Sequence, residues 1–241
     1  MDVLLSAEGL LSLLTLTFLE IVLGIDNIIF ISLVSNDLEP SQQPLARRMG
    51  LLLALAFRVL MLLGITWLIG LTAPIFNIGD HPVSGRDAIL FFGGLFLLGK
   101  SSTEIFKKTE GKGHGTHSSK AKSLVGVIVQ IGLLDIVFSF DSVLTAIGMT
   151  HDLLIMVIAV IISMLIMLIF AKPIADFIER HVSLQILALS FLIMIGTVLI
   201  AESAHVEIPK PYVYSSVGFA LIVQLLSIRA AERSKTTGND Q

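Results

Sequence analysis

The sequence predicts an all-α polytopic membrane protein with seven transmembrane helices, built as two inverted three-helix repeats plus one extra helix. Three observations predict it. Hydrophobic residues make up 54% of the 241 residues and charged residues only 15%, against roughly 25% charged in an ordinary soluble domain. The apolar residues gather into seven long runs, each close to the ~20 residues that a helix needs to cross a bilayer. An acidic motif inside the first run returns inside the fourth. With a mean hydropathy of +0.90, so much apolar surface cannot hide behind so few charges in water, whereas lipid is itself the solvent of a membrane protein.

The seven runs are Leu10–Val34, Leu45–Leu71, Ala88–Phe106, Ser123–Gly148, Leu153–Ala171, Leu184–Ala201 and Tyr212–Ile228. The opening MDVLLSAEG lacks the basic start of a secretory signal peptide, so the first run is expected to persist as a helix. The link APIFNIGDHPVSGRD carries Pro and Gly turn signals. Residues 107–122 form a polar, Gly- and Ser-rich loop that reads as flexible. The stretch KPIADFIERH is mildly amphipathic and is expected to lie along the interface, and the tail from Ala231 onward reads as a disordered end. The whole chain, 1–241, is then a single membrane domain. Residues 10–106 form the first repeat, 107–122 a cytoplasmic loop, 123–203 the second repeat and 212–230 the seventh helix.

Lys and Arg collect on the cytoplasmic side of a membrane protein. With seven crossings, one side receives Arg47, Arg48, Lys107, Lys108, Lys112, Lys120, Lys122, Lys172, Arg180, Arg229, Arg233 and Lys235. The other side receives only Arg86 and Lys210. The expected localisation is a multi-pass inner (cell) membrane protein, N-terminus outside and C-terminus cytoplasmic.

LEIVLGIDNII (Leu19–Ile29) aligns without a gap on LDIVFSFDSVL (Leu134–Leu144), matching Glu20 to Asp135, Asp26 to Asp141 and Asn27 to Ser142. A weaker echo joins LFLLGKSSTE (Leu95–Glu104) to LIMIGTVLIAE (Leu192–Glu202). An odd number of crossings separates the motif helices, so the second unit is inverted. Inverted repeats with a site at the midplane mark secondary transporters.

A charged acid at the bilayer centre costs at least ~2.5–3.5 kcal/mol on insertion scales, so such residues need cations, protons or donors as partners. The plain alternative is a set of salt bridges locking helices together, for which Arg58 and Lys100 are available. Residues six apart on an ideal helix are offset by ~9 Å and roughly 120°. Glu20 and Asp26 would then not share a face. Gly24 and Ser139 lie between the paired acids, and a break there would turn both acids inward and free backbone carbonyls as ligands. The first and fourth helices are therefore expected to be discontinuous or kinked at these points.

Glu20, Asp26, Asn27, Asp135, Asp141 and Ser142 are the candidate metal ligands. They offer oxygen donors, which suit Mn²⁺, Mg²⁺ and Ca²⁺, while Zn²⁺ favours His or Cys and Cu(I) favours sulfur. The same acids could carry protons, since burial raises a carboxyl pKa. Arg58, Lys100 and Gln130 are candidate counter-charges or outer partners, and Thr17 is a further neighbouring donor. Arg58 could hold the acids together before an ion arrives, or be a fixed structural pair. Lys100 and Glu104 are one turn apart and could simply pair. Glu202 reads as an interface marker, and His114–His117 as part of a solvated loop.

With no cysteine in the chain, disulfides, thiolate metal sites and cysteine nucleophiles are excluded. The last run has no lysine for a retinal Schiff base, and no HExxH, GxSxG or Walker A pattern occurs. No enzyme, no cofactor and no nucleic-acid partner is expected. The expected partners are the lipid bilayer and a divalent metal ion, with oligomeric state open.

At FLEIVLGIDN (Phe18–Asn27) and LDIVFSFDS (Leu134–Ser142) the sequence resembles the TerC family of integral membrane proteins. The resemblance extends over RRMGLLLA, GGLFLLGK and ALSFLIMIG, and so over most of residues 10–230. It implies seven spans, a relation to the LysE-type exporter superfamily, manganese export, and metal binding at Glu20, Asp26, Asp135 and Asp141, with Asn27 and Ser142 following. The expected function is a secondary transporter exporting a divalent cation, Mn²⁺ foremost, through a midplane carboxylate site by exchange with protons. The alternatives are an exporter of an organic cation or amino acid, and a non-transporting membrane subunit of a metal-resistance complex.

Overall fold

The computed structural model describes residues 6–79, 81–110, 123–150, 152–206 and 208–237. Its helices are α1 (Ala7–Ser35), α2 (Gln43–Leu63), α3 (Ile65–Gly70), α4 (Gly85–Glu110), α5 (Leu124–Met149), α6 (Leu153–Arg180), α7 (Val182–Ser203) and α8 (Lys210–Thr237). A small antiparallel hairpin, β1 (Pro74–Ile78) and β2 (His81–Ser84), joins α3 to α4. Among the described residues six helices, α1 and α4 to α8, are long and apolar enough to cross a membrane. The remaining long helix, α2, packs Arg47, Arg48 and Arg58 into 21 residues. The protein is thus an all-α polytopic membrane protein.

Local chemistry sets the ends. Ser6 stands in extended conformation ahead of α1, and its hydroxyl accepts from Gly9 N at 3.0 Å, a cap worth about 1 kcal/mol. Asp152 caps α6 in the same way through Leu154 N and Ile155 N. Gly64 ends α2 and splits the second apolar run, which therefore continues as the separate short helix α3.

Several expectations change. The link after the second run pairs as a hairpin, with Gly79 at φ 64° in its turn. KPIADFIERH does not lie as a separate interfacial segment but continues α6 to Arg180, because Ala175 and Ile178 are buried in the protein. Residues 231–237 continue α8 rather than ending it, as suits the good helix formers Ala230, Ala231 and Arg233. The helix breaks expected at Gly24 and Ser139 do not occur: α1 and α5 run through both positions as unbroken α-helix. Gly24 serves close packing instead, since a Cβ there would sit 2.2 Å from Met167 Sδ on α6. His114 and His117 lie outside the described residues.

The helices pack in a definite pattern. α1 lies along α6, α2 along α5, and α4 along α7, while α1 also meets α5 and α2 meets α6. α4 and α7 cross backbone to backbone. A Cβ on Gly94 would meet Gly196 O at 2.6 Å, and one on Gly196 would meet Gly94 O at 2.9 Å. α8 lies outermost, against α7. Large apolar side chains such as Leu14, Phe18, Trp67, Phe92 and Phe219 face outward, an arrangement that suits lipid and would promote aggregation in water.

Ion pairs define two ends. At one, Lys100 Nζ lies 2.7 Å from Glu104 and 3.3 Å from Asp37, and Arg47 lies 3.7 Å from Asp176. This is the basic end. At the other, the hairpin end, Arg86 lies 3.8 Å from Glu202 and 3.9 Å from Asp87, and His205 Nε2 lies 3.2 Å from Asp87. Arg47 ties the basic corner together, donating to Ser35 Oγ, Asn36 Oδ1 and Gln43 Oε1 at 2.9–3.1 Å.

Candidate functional site

Halfway along the bundle, α1, α2 and α5 each place one charged side chain in a common buried spot. Arg58 of α2 ion-pairs with Glu20 of α1 through Nη1, and its Nη2 lies 3.5 Å from Asp135 Oδ1 of α5. None of the three is more than 4% exposed. Asn27 Nδ2 donates to Asp135 Oδ1 at 3.0 Å, and Ser139 Oγ donates to Asp135 Oδ2 at 3.0 Å. Ser142 is buried beside Glu20, and its hydroxyl donates to Ser139 O at 3.2 Å.

Unbroken helices explain this grouping. Residues seven apart return to nearly the same face, with about 20° of drift. Glu20 and Asn27 therefore point together from α1, and Asp135 and Ser142 from α5, one turn on from each other twice over. Ser139, four residues after Asp135, stands directly above it and needs no kink to reach the carboxylate. The side chains of Asp26 and Asp141 lie outside the described residues.

Of the sequence candidates, Glu20, Asn27, Asp135, Ser142 and Arg58 converge. Lys100 does not: it sits at the basic end between Asp37 and Glu104. Gln130 lines an apolar groove between α4 and α5, with Phe92, Phe96 and Leu133. Thr17 is buried one turn before Glu20. Ser139 as a donor to Asp135 was legible only as an i, i+4 pair, and the Asn27–Asp135 bond across helices had no signal in the sequence.

The electrostatics of the spot are lopsided. Two carboxylates share one guanidinium, leaving one formal negative charge among the three. A buried ion group of this kind is held up by complete hydrogen bonding and by little else. Here the bonding is incomplete: Asn27 Oδ1, an acceptor, and Arg58 Nε are buried with no hydrogen-bond partner among the described residues. Two carboxyl groups beside an unused carbonyl oxygen and two serine hydroxyls form an oxygen-rich spot that, with the carboxyls ionised, favours a small hard cation. Such a cation would compete with Arg58 for the same oxygens.

Comparison with known proteins agrees with the membrane architecture. A Haemophilus influenzae "UPF0053 protein" is 48% identical over 223 residues, covering 92% of this chain and 94% of its own length. The Escherichia coli (strain K12) "UPF0053 inner membrane protein YgdQ" is 49% identical over 218 residues, covering 90% of this chain and 92% of its own. The longer Escherichia coli (strain K12) "UPF0053 inner membrane protein YoaE" is 45% identical over 216 residues, which are 89% of this chain and 42% of that protein. No solved structure matches. The family model described as "Integral membrane protein TerC family" matches residues 5–238, and with relatives this similar over nearly its whole length the chain belongs to the TerC family of integral membrane proteins.

Proposed function

We propose that this protein is a secondary transporter that exports a divalent metal cation, Mn²⁺ foremost, through the buried carboxylate site, in exchange for protons. The observation that carries the reading is the convergence of Glu20 and Asp135, matched positions of the repeated motif, on one arginine in a setting of oxygen donors. Arg58 acts as the resting counter-charge, and an arriving ion takes its place between the acids. Asp26, Asp141, Asn27 and Ser142 complete the ligand set in this reading.

The packing supports the inverted repeat and a seventh crossing by α2. Exchange α1 with α5, α2 with α6 and α4 with α7, and the α1–α6 contact becomes the α5–α2 contact, while α4–α7 maps onto itself. The basic end, with Arg47, Lys100 and Lys107, faces the cytoplasm on the positive-inside argument. That leaves the N-terminus outside and the C-terminus inside. The export direction follows the resemblance to manganese-exporting members of the family.

A small ion is favoured over an organic solute by the space beside Ser142. The cavity that reaches Ser142 holds about 50 Å³, room for only a few water molecules. The test is metal flux in proteoliposomes, comparing Mn²⁺ with Mg²⁺, Ca²⁺ and Zn²⁺, with Glu20→Gln, Asp26→Ala and Asp141→Ala alongside. Mn²⁺ flux that the substitutions abolish is the expected result. Absence of flux for every metal, with the protein folded, would overturn the proposal in favour of an organic substrate or a scaffold.

A further inference from the structure

We infer that α4 and α7, with α8 beside them, move as one rigid body against α1, α2, α5 and α6, and that the ion pair of Asp37 with Lys100 latches the seam between the two groups shut at the basic end. The inference rests on the transporter reading and supplies its moving part. Within each group the helices are fastened together. α4 and α7 approach backbone to backbone, where a Cβ on Gly94 would meet Gly196 O at 2.6 Å. They are also tied at both ends: Lys108 donates to Gln185 at the basic end, and the hairpin end joins Arg86 to Glu202 and Asp87 to His205, just past α7. In the other group Arg58 joins α2 to α1 and α5, and Arg47 of α2 reaches Asp176 of α6. Gly24 of α1 and Gly50 of α2 there receive the side chains of Met167 of α6 and Ile131 of α5.

The seam between the groups is loose by comparison, and three cavities lie along it. One, of about 50 Å³ at the hairpin end, separates Ser142 of α5 from Val198 of α7. A second, an open apolar groove, separates Phe92 of α4 from Leu133 of α5. The third, of about 80 Å³ at the basic end, separates Phe30 of α1 from Ser101 of α4 and Leu192 of α7. Protein interiors are otherwise close-packed, so voids aligned on one seam mark surfaces that can shift against each other. Val137 of α5 borders both the hairpin-end cavity and the groove. There α4 rests a glycine on it: a Cβ on Gly93 would meet Val137 Cγ1 at 2.5 Å. With no side chain on the α4 side to interlock, this contact suits a pivot.

The two ends of the seam differ. The hairpin-end cavity reaches Ser142, beside Glu20, whereas the basic-end cavity stops at Phe30, nearly one turn beyond Asn27. The conformation described here is therefore shut toward the basic end. At that end the partly buried Lys100 Nζ of α4 spans the seam to Asp37, just past α1, at 3.3 Å, and holds Glu104 of its own helix more closely, at 2.7 Å. Letting go of Asp37 leaves the ammonium paired with Glu104, so the latch opens without stranding the charge of Lys100. The adjacent Ser101 lines the basic-end cavity, and its hydroxyl is buried with no hydrogen-bond partner among the described residues. A buried hydroxyl of this kind calls for a water partner, and it marks the side from which water and the ion enter once the latch opens.

The chain has no cysteine, which makes cysteine chemistry clean. Ser101→Cys is introduced in the full-length protein in lipid nanodiscs, which leave both faces open, and its rate of reaction with a membrane-impermeant methanethiosulfonate is measured. One ion pair of this exposure biases an equilibrium by up to about fivefold. Adding Asp37→Asn should therefore speed the labelling about fivefold, and Asp37→Glu should keep it slow. A rate that Asp37→Asn leaves unchanged would overturn the latch. Mn²⁺ flux is then read in proteoliposomes with cysteine pairs bridged by a short bifunctional methanethiosulfonate. Bridging Asp37→Cys to Lys100→Cys, across the seam, should stop flux, and reduction should restore it. Bridging Lys108→Cys to Gln185→Cys, within the α4–α7 pair, should leave flux at its reduced-state level. An equal block by both bridges would overturn the rigid pair. Labelling that follows Asp37 in a protein carrying no Mn²⁺ would sink the exporter reading and leave the latch standing.

Discussion

Arg58→Met is the most informative single substitution, because it separates a resting counter-charge from a structural lock. The change keeps an apolar stem and removes the guanidinium that Glu20 and Asp135 share. The formal charge of the three residues then moves from −1 to −2. Suppose an arriving ion pushes the guanidinium to about 8 Å. At an effective dielectric near 20, a unit charge at that distance opposes a doubly charged ion by about 4 kcal/mol, or roughly 1,000-fold in affinity. The variant should therefore bind Mn²⁺ roughly 1,000-fold more tightly and transport it more slowly, since nothing remains to refill the site and expel the ion. Breaking a buried pair also costs about 3–5 kcal/mol, so the unliganded variant should melt earlier and regain stability when Mn²⁺ is added. The assay is isothermal titration in detergent, with thermal unfolding in the same samples. A folded Arg58→Met protein that binds Mn²⁺ no more tightly than the parent would refute the reasoning and make Arg58 a structural lock.

Other predictions follow from the packing. Gly94→Ala should destabilise the protein by about 1–3 kcal/mol, the usual cost of overpacking, because its methyl would press on Gly196 O at 2.6 Å. Gly99→Ala, where a Cβ meets nothing within 4 Å, should be neutral or gain up to about 1 kcal/mol from helix propensity; equal melting shifts for the two would contradict the crossing. Arg47→Ala should cost about 2–4 kcal/mol through the lost partners Ser35, Asn36, Gln43 and Asp176. The exposed Arg48→Ala should stay within about 0.5 kcal/mol, and thermal unfolding of both in detergent would distinguish them. Asn27→Leu should weaken Mn²⁺ binding without abolishing it, since one neutral oxygen is lost and both carboxylates remain, whereas Glu20→Gln should abolish it; a titration showing equal losses would argue against Asn27 as a lesser ligand.

Lipid as solvent made the architecture legible in the letters. Apolar runs of bilayer length can satisfy their backbones in lipid only as helices, so residues 10–34 or 153–171 needed no tertiary information to be placed. The repeated acids were legible for a related reason: a carboxylate in such a run is costly enough that its presence demands a partner. Where the energetics were ordinary, the letters misled. Gly24 looked like a breaker and is a contact surface for Met167, because the close approach of α6 cannot be seen along α1 alone. Lys100 and Arg58 both looked able to meet the acids, and only helix packing assigned Arg58 to Glu20 and Asp135 and sent Lys100 to the basic end. The hairpin at residues 74–84 and the Asn27–Asp135 bond likewise depend on chain segments that meet through space. Sequence by itself determined that acids sit inside membrane helices; the tertiary structure decided which of them share a counter-charge, because that choice is made by distances between helices and these are set by side-chain packing across all of them at once.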